Sequence, residues 1–381
     1  MTGFFDTLRP APVPMLLGGT GPRDTGQPQA VSLLPATQGL GTEGNGLNDA
    51  AQAWWDWRNA NAAATWQHPE NLVLGFGGIM AGPKALTADL AALARAREMQ
   101  TAGRAMEDIR ADTGWFEGPK LPGKNGWRFE IPDQEAVYRP GGVVAELKRQ
   151  GIPDPWQSQT GFAAPVRDFM SHRELFDAYP ELGNKILYID PTLKEQGYLG
   201  TYGTRWGPDT LSLNTEIAPR PEGGKSVLLH ELMHGVQRIE DFPRGGNPTM
   251  PEVRNVVDAE IKERLADLDA RMNSYQQFVG NFRNQYEAKH GDRPGGDWFQ
   301  EFRRLYPEMV NEQGRLFDEW HTLNSGPGRN ALYQEGYHRL FGEIEARDVQ
   351  ARMNMDPVTR MLAPPYASQG IPRSRYIIRG E

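Results

Sequence analysis

Ten apolar residues between Val253 and Tyr286 recur every three or four positions, and a long α-helix is the backbone that places them all on one face. Val253, Val257, Ile261, Leu265, Leu268, Met272, Tyr275, Val279, Phe282 and Tyr286 step by about 3.7 residues on average, close to the helical repeat. Residues 291–296 interrupt the pattern with glycines, and residues 298–323 resume it. A helix with one apolar stripe needs a partner to cover it. An antiparallel helical hairpin is therefore expected over 251–330. The stripe is packing and calls for no cofactor.

Around that hairpin the chain changes character several times. Residues 1–48 hold 6 Pro and 9 Gly, with no aromatic residue after Phe5. Such a segment buries too little to fold alone, so an extended arm is expected, suited to other proteins or to copies of the same chain. Residues 49–111 form a tryptophan-rich and helical segment. Trp54, Trp55, Trp57 and Trp66 crowd its start, and residues 87–111 carry helical periodicity with Thr87 as the expected cap. From 112 onward, short strands alternate with helices, giving an α+β class with a small antiparallel sheet. Trp127, Phe129 and Ile131 alternate with Arg128 and Glu130, the pattern of a half-buried strand. Residues 185–190, 197–202 and 210–214 read as further strands, the last two as a hairpin closed by the Gly/Pro loop 203–209. That hairpin is expected beside the helix of residues 226–241, offering an edge to an extended peptide.

Charge and composition narrow the chemistry. With 49 acidic against 41 basic residues and a net charge of −8, a nucleic-acid surface is disfavoured. No targeting segment is visible at the start, and the longest apolar run, residues 72–81, is about half the ~20 residues that span a bilayer. A chain of the host cytoplasm or of a particle assembled there is expected, with no secretory signal peptide and no membrane span. Zero cysteines exclude disulfides and thiolate ligands, so any metal must be held by the 7 histidines and by carboxylates.

Two of those histidines stand in His230-Glu231-Leu232-Met233-His234. Four residues apart on a helix, both imidazoles face the same way and can share one cation. Glu231 lies beside them without ligating and can take a proton from metal-bound water. Composition alone would produce the motif about 0.01 times in such a chain. Leu228, Leu232, Val236 and Ile239 give the helix a separate apolar face. A catalytic zinc needs a third protein ligand and one open position. His290, His321 and His338 follow the motif, but Glu343 in Gly342-Glu-Ile-Glu-Ala-Arg-Asp is the stronger candidate, because Gly342 permits close backbone approach. Glu345 points about 200° away around the same helix, so one of the two carboxylates can ligate.

Several segments in order resemble a known family. They are residues 81–90 (AGPKALTADL), 113–118 (TGWFEG), 127–131 (WRFEI), 175–182 (LFDAYPEL), 226–237 (SVLLHELMHGVQ) and 342–352 (GEIEARDVQAR). The arrangement is similar to HExxH-containing proteins of bacteriophages and prophages, grouped among the large polyvalent protein-associated domains. It runs from Gly75 to the Pro364–Pro365 pair, about three quarters of the chain, and leaves out residues 1–48.

The resemblance implies a zincin-like metallopeptidase domain over 112–381, with Zn2+ on His230, His234 and Glu343 and with Glu231 as the base. The implied activity is hydrolysis of peptide bonds in a polypeptide substrate. The competing expectation is a virion structural or ejected protein whose zinc site is structural or vestigial, its arm binding other virion proteins. Tyr337 or Tyr333, just ahead of Glu343, is the expected donor to an oxyanion.

Overall fold

The computed structural model describes residues 78–204, 207–291, 297–356, 359–360 and 363–380, all within a compact unit of residues 68–381. The arm at 1–48 and the tryptophan cluster lie outside the described residues, as do positions 205–206 of the hairpin loop and 292–296 of the helical turn. In chain order the described elements are β1 (Gly78–Ala81), α1 (Leu90–Thr101), α2 (Met106–Thr113), β2 (Phe116–Glu117), β3 (Trp127–Pro132), β4 (Val137–Tyr138) and α3 (Pro140–Arg149). Next come β5 (Phe162–Pro165), α4 (Val166–Phe169), β6 (Met170–Ser171), α5 (Arg173–Ala178), α6 (Pro180–Asn184), β7 (Ile186–Ile189), α7 (Thr192–Glu195), β8 (Gly200–Thr204) and β9 (Gly207–Leu213). The remaining helices are α8 (Pro221–Glu240), α9 (Pro251–His290), α10 (Asp297–Leu305), α11 (Pro307–Asn324), α12 (Gly326–His338) and α13 (Phe341–Arg352).

Four strands form the sheet beneath the motif helix, in the order β5-β7-β9-β8. β7 pairs with β9 in parallel, while the β5–β7 and β8–β9 pairs are antiparallel. The sheet is thus mixed, which corrects the expected small antiparallel one. α7 carries the chain past the place of β9, so that β8 takes the edge and β9 returns between β8 and β7. Leu187, Ile189, Leu211 and Leu213 from this sheet share one buried core with Leu228, Leu232, Met233 and Val236 of α8 and with Ile344 and Val349 of α13.

β1 and β2 flank β3 in a second sheet. Residues 78–81 are therefore hydrogen-bonded to residues 129–132, and the expected division at residue 111 falls between partners of one sheet. The single helix expected over 87–111 is instead two. Ala102 caps α1, Gly103 takes a positive φ of 77°, and the N-cap is Asp89, whose carboxylate accepts from Ala92 N at 2.8 Å, rather than Thr87. β3 also departs from the half-buried pattern. Arg128 and Glu130 are as buried as Trp127 and Ile131, because their face packs against α13 rather than water.

The apolar stripe forms α9, a helix of 40 residues, and buries Val253, Val257, Ile261 and Leu268 against Leu316 and Leu323 of α11. The return limb is broken where one helix was expected. Tyr306 is non-helical (φ −131°, ψ 53°) ahead of Pro307, since proline disfavours the α conformation in the residue before it. α12 then runs through residue 330, the expected end of the insertion, and leads directly into α13.

Candidate metal centre

α8 places His230 and His234 one turn apart with ring centroids 4.8 Å apart. Pro221 sits in the first turn, where its missing N–H costs nothing, and Glu222 complements the positive end of the helix dipole. At the other end Lys84 Nζ donates to Ile239 O at 2.6 Å, which fastens the helix C-terminus to the loop after β1.

The two Nε2 atoms face each other at 3.2 Å. Glu343 completes the group, with Oε2 3.5 Å from His230 Nε2 and Oε1 3.4 Å from His234 Nε2. Ligands about 2.0–2.1 Å from a shared tetrahedral centre stand roughly 3.3–3.4 Å from one another. The two Nε2 atoms and the carboxylate, which turns one oxygen to each ring, lie close enough together to share one ion. Among the described residues this is the group of three metal-ligating side chains that converges in this way.

Hydrogen bonds on the far side of each ring say which nitrogen is available. His234 Nδ1 lies 2.9 Å from Gln237 Oε1, and His230 Nδ1 lies 3.1 Å from Gln350 Oε1. The amide orientations are fixed in turn. Gln237 Nε2 donates to Gly342 O at 2.8 Å and to Glu345 Oε2 at 3.2 Å, and Gln350 Nε2 donates to Ser226 O and Oγ at 3.2 Å. Both amide oxygens therefore accept, both Nδ1 atoms carry the proton, and both Nε2 lone pairs point at the same place. Two lone pairs at 3.2 Å repel unless a cation lies between them. Two imidazoles and a carboxylate of this geometry fit a zinc ion.

Glu343 reaches the histidines from the first turn of α13. The approach depends on two glycines: a Cβ on Gly342 would lie 2.1 Å from Gly245 N, and a Cβ on Gly245 would lie 2.2 Å from Glu343 Oε1 and 2.4 Å from His234 Cε1. Gly246 N donates to Glu343 Oε1 at 2.9 Å, and Tyr337 OH donates to Oε2 at 2.8 Å. Burial opposes the Glu343 charge, yet His234, His230 and the Gly246 amide together lower its pKa to about 2. Burial also works against charge on both rings. In His230 it is outweighed by the Glu343 and Glu231 carboxylates, which raise the pKa, whereas in His234 burial prevails and the pKa falls.

Glu231 sits beside this group on the β8 side. It is 5% exposed, and burial pushes its carboxyl up to about 7. Its carboxylate makes no hydrogen bond among the described residues. β8 crosses directly over it, and a Cβ on Gly200 would stand 2.5 Å from Val227 Cγ1 and 2.8 Å from Glu231 Oε1. The expected neighbourhood of hairpin and motif helix is thus present, with β8 as the edge strand.

The other sequence candidates lie elsewhere. Glu345 is fully buried and faces Arg128, whose Nε donates to it at 2.6 Å. His290 stacks on Tyr286 at the far end of α9, His321 packs against Phe317 and Trp320, and His338 bonds to Arg347. Tyr333 is held by Asp258 at 2.6 Å, which removes it as a donor at this centre and leaves Tyr337. Sequence reasoning missed Gln237, Gln350 and the Gly245–Gly246 backbone. The two glutamines were within reach of helical arithmetic: Gln237 is three residues after His234, and Gln350 is seven after Glu343.

Residues 78–139 match the family model of large polyvalent protein associated domain 23, a domain found in polyvalent phage and bacterial proteins. The matched stretch is well short of half the chain. It holds β1 to β4 and includes Arg128 and Glu130, while His230, Glu231, His234 and Glu343 lie outside it. No curated protein and no solved structure matches the chain. Among the described residues no helix is long and apolar enough to cross a membrane.

Proposed function

We propose that the chain is a zinc-dependent peptidase of the HExxH, zincin-like type, made or carried by a bacteriophage and acting within the virion or the host cytoplasm. His230, His234 and Glu343 would hold the ion. Bound there, zinc would polarise a peptide carbonyl and make water acidic near neutral pH.

The observation that carries the reading is Glu231. A zinc site that only braces the fold has no use for a buried carboxylate beside its ligands that makes no hydrogen bond among the described residues. A base works best when its pKa lies near the operating pH, and burial brings Glu231 to about 7. It would take the proton from the attacking water and pass it to the leaving amine. Tyr337 OH donates to the ligand Glu343 and would give its one hydrogen to the negative charge developing on the carbonyl oxygen by releasing that bond. An extended polypeptide would pair with β8 and lie across Glu231, a mode of binding that reads backbone more than side chains. Residues 1–48 would tether the enzyme to other virion proteins or to copies of itself.

Glu231→Gln separates the enzyme from a structural zinc protein. Gln keeps the shape of the side chain but cannot accept a proton, so zinc and fold should persist while cleavage of unfolded casein and of co-packaged phage proteins falls about 10²–10⁴-fold. Equal cleavage by both forms, or none by zinc-loaded wild type on either substrate set, would favour a structural centre.

A further inference from the structure

We infer that Glu345, anchored by Arg128 of the matched segment, is a positioning residue that fixes the tautomer of His234 through Gln237. The inference rests on the metal reading above and extends it to a chain of groups that reaches β3.

Gln237 has two amide hydrogens and both are spent, one on Gly342 O at 2.8 Å and one on Glu345 Oε2 at 3.2 Å. Its oxygen is thereby turned toward His234 Nδ1, which must donate. Two acceptors hold that orientation, the Gly342 carbonyl, which can only accept, and Glu345 Oε2, which must stay an acceptor. Three donors keep it so: Arg128 Nε at 2.6 Å and Tyr366 OH at 3.1 Å on Oε1, and the Gln237 amide on Oε2. Arg128 is itself immobilised. Its Nη1 and Nη2 donate to Gly126 O at 2.7 Å and Pro119 O at 3.0 Å, and its plane lies 3.9 Å over the ring of Phe242, just beyond α8. Arg128, Gln237 and Glu345 are all essentially excluded from water. No solvent molecule can substitute for a lost partner without a cavity opening. Among the described residues the Gln350 amide behind His230 is held by Ser226 O and Oγ, with no charged group behind them. The charged branch serves His234.

Replacing Glu345 by Gln puts an amide where the carboxylate was. One of its two ends must bond Arg128, which only an oxygen can do, so its NH2 turns toward the NH2 of Gln237. Donor against donor sets the new amide against the hold of Gly342 O on Gln237, and wherever the Gln237 amide turns over, His234 has a donor facing Nδ1. The proton moves to Nε2, the atom that would ligate.

The experiment combines nitrogen NMR of the histidine rings in metal-free protein, at mildly alkaline pH, with zinc affinity from chelator competition. Wild type is expected to show His234 with its proton on Nδ1. Glu345→Gln should shift it toward Nε2 and weaken zinc binding about 10–100-fold, the usual cost of losing such support. Gln237→Met, which removes the amide and touches neither Arg128 nor Glu345, should weaken zinc similarly and carries the test if Glu345→Gln does not fold. Ile131→Val, a packing loss on the same strand, should leave both readouts at wild-type values. A proton on Nε2 in wild type would overturn the inference. So would folded Glu345→Gln and Gln237→Met proteins that bind zinc as wild type does, or an equal loss in Ile131→Val. If wild type takes up no zinc, the peptidase reading fails, and the ring tautomers of the metal-free proteins still decide whether the chain sets His234.

Discussion

The helical insertion and the candidate metal centre are built on opposite terms. In the insertion, α9 and its partners meet through apolar side chains, and their charges pair at the surface, as Arg264 does with Glu319. Around the metal centre the charges are inside. Arg128 meets Glu345 with both side chains at 0% exposure, and Glu130 meets Arg352 with both at 1%. Glu130 also receives Arg110 at 2.7 Å. Two residues of one strand thus reach two turns of α13 with charges of alternating sign. An apolar interface tolerates small slips of one helix along another. A buried ion pair does not, because a displaced partner leaves an uncompensated charge. This chain thus places its buried charges around the site where His230, His234 and Glu343 converge.

The sharpest way to break the comparison is to remove one buried charge. Arg352→Met should cost about 3–5 kcal/mol in urea unfolding, since buried Glu130 and Asp348 would each lose an arginine partner. Leu268→Ala in the insertion should cost about 2–5 kcal/mol through the cavity it leaves. If the leucine loss proves clearly larger, the buried charges are not what holds the site half together.

The junction between the halves gives a smaller, pH-dependent effect. Arg339 makes two bonds, of 2.7 and 2.8 Å, to Glu260 on α9, and the hydrogen bonds to it lower the Glu260 pKa below 4.5. A carboxyl with a depressed folded pKa stabilises above its unfolded value, and that gain is lost as pH falls through the folded one. Wild type should therefore exceed Glu260→Gln by no more than about 1 kcal/mol at neutral pH, because Glu260 is half-exposed and solvent screens the pair. The gap should close on acidification below 4.5. A gap that widens in acid would reverse the sign of the argument. The smallest effect belongs to Arg264→Ala, expected within about 1 kcal/mol and weakened by salt, as for other exposed pairs.

The same contrast explains what could be read without coordinates. The stripe from Val253 to Tyr286 was legible because burial and periodicity coincide there, and the convergence of His230, His234 and Glu343 was legible because the two histidines stand one helical turn apart. The break at Tyr306–Pro307 was also written in the chain, as a proline inside an apolar pattern. Arg128 and Glu130 misled, because alternation distinguishes two faces of a strand but not which of them meets water. Gly245 and Gly246 gave no sign: their use depends on α13 crossing them a hundred residues later in sequence. Gln237 and Gln350 fell between the two cases, with helical spacing that pointed to the centre and a residue type that rarely draws attention.

The most direct test of the centre is its metal. Protein purified without chelators should carry one zinc per chain by elemental analysis. Absorption at the zinc edge should report two imidazoles and one carboxylate at about 2.0–2.2 Å. Glu343→Gln should lose most of that zinc, whereas Glu345→Gln should retain it at saturating concentration. Protein that takes up no zinc at micromolar concentrations, or that binds it equally well without Glu343, would contradict the account.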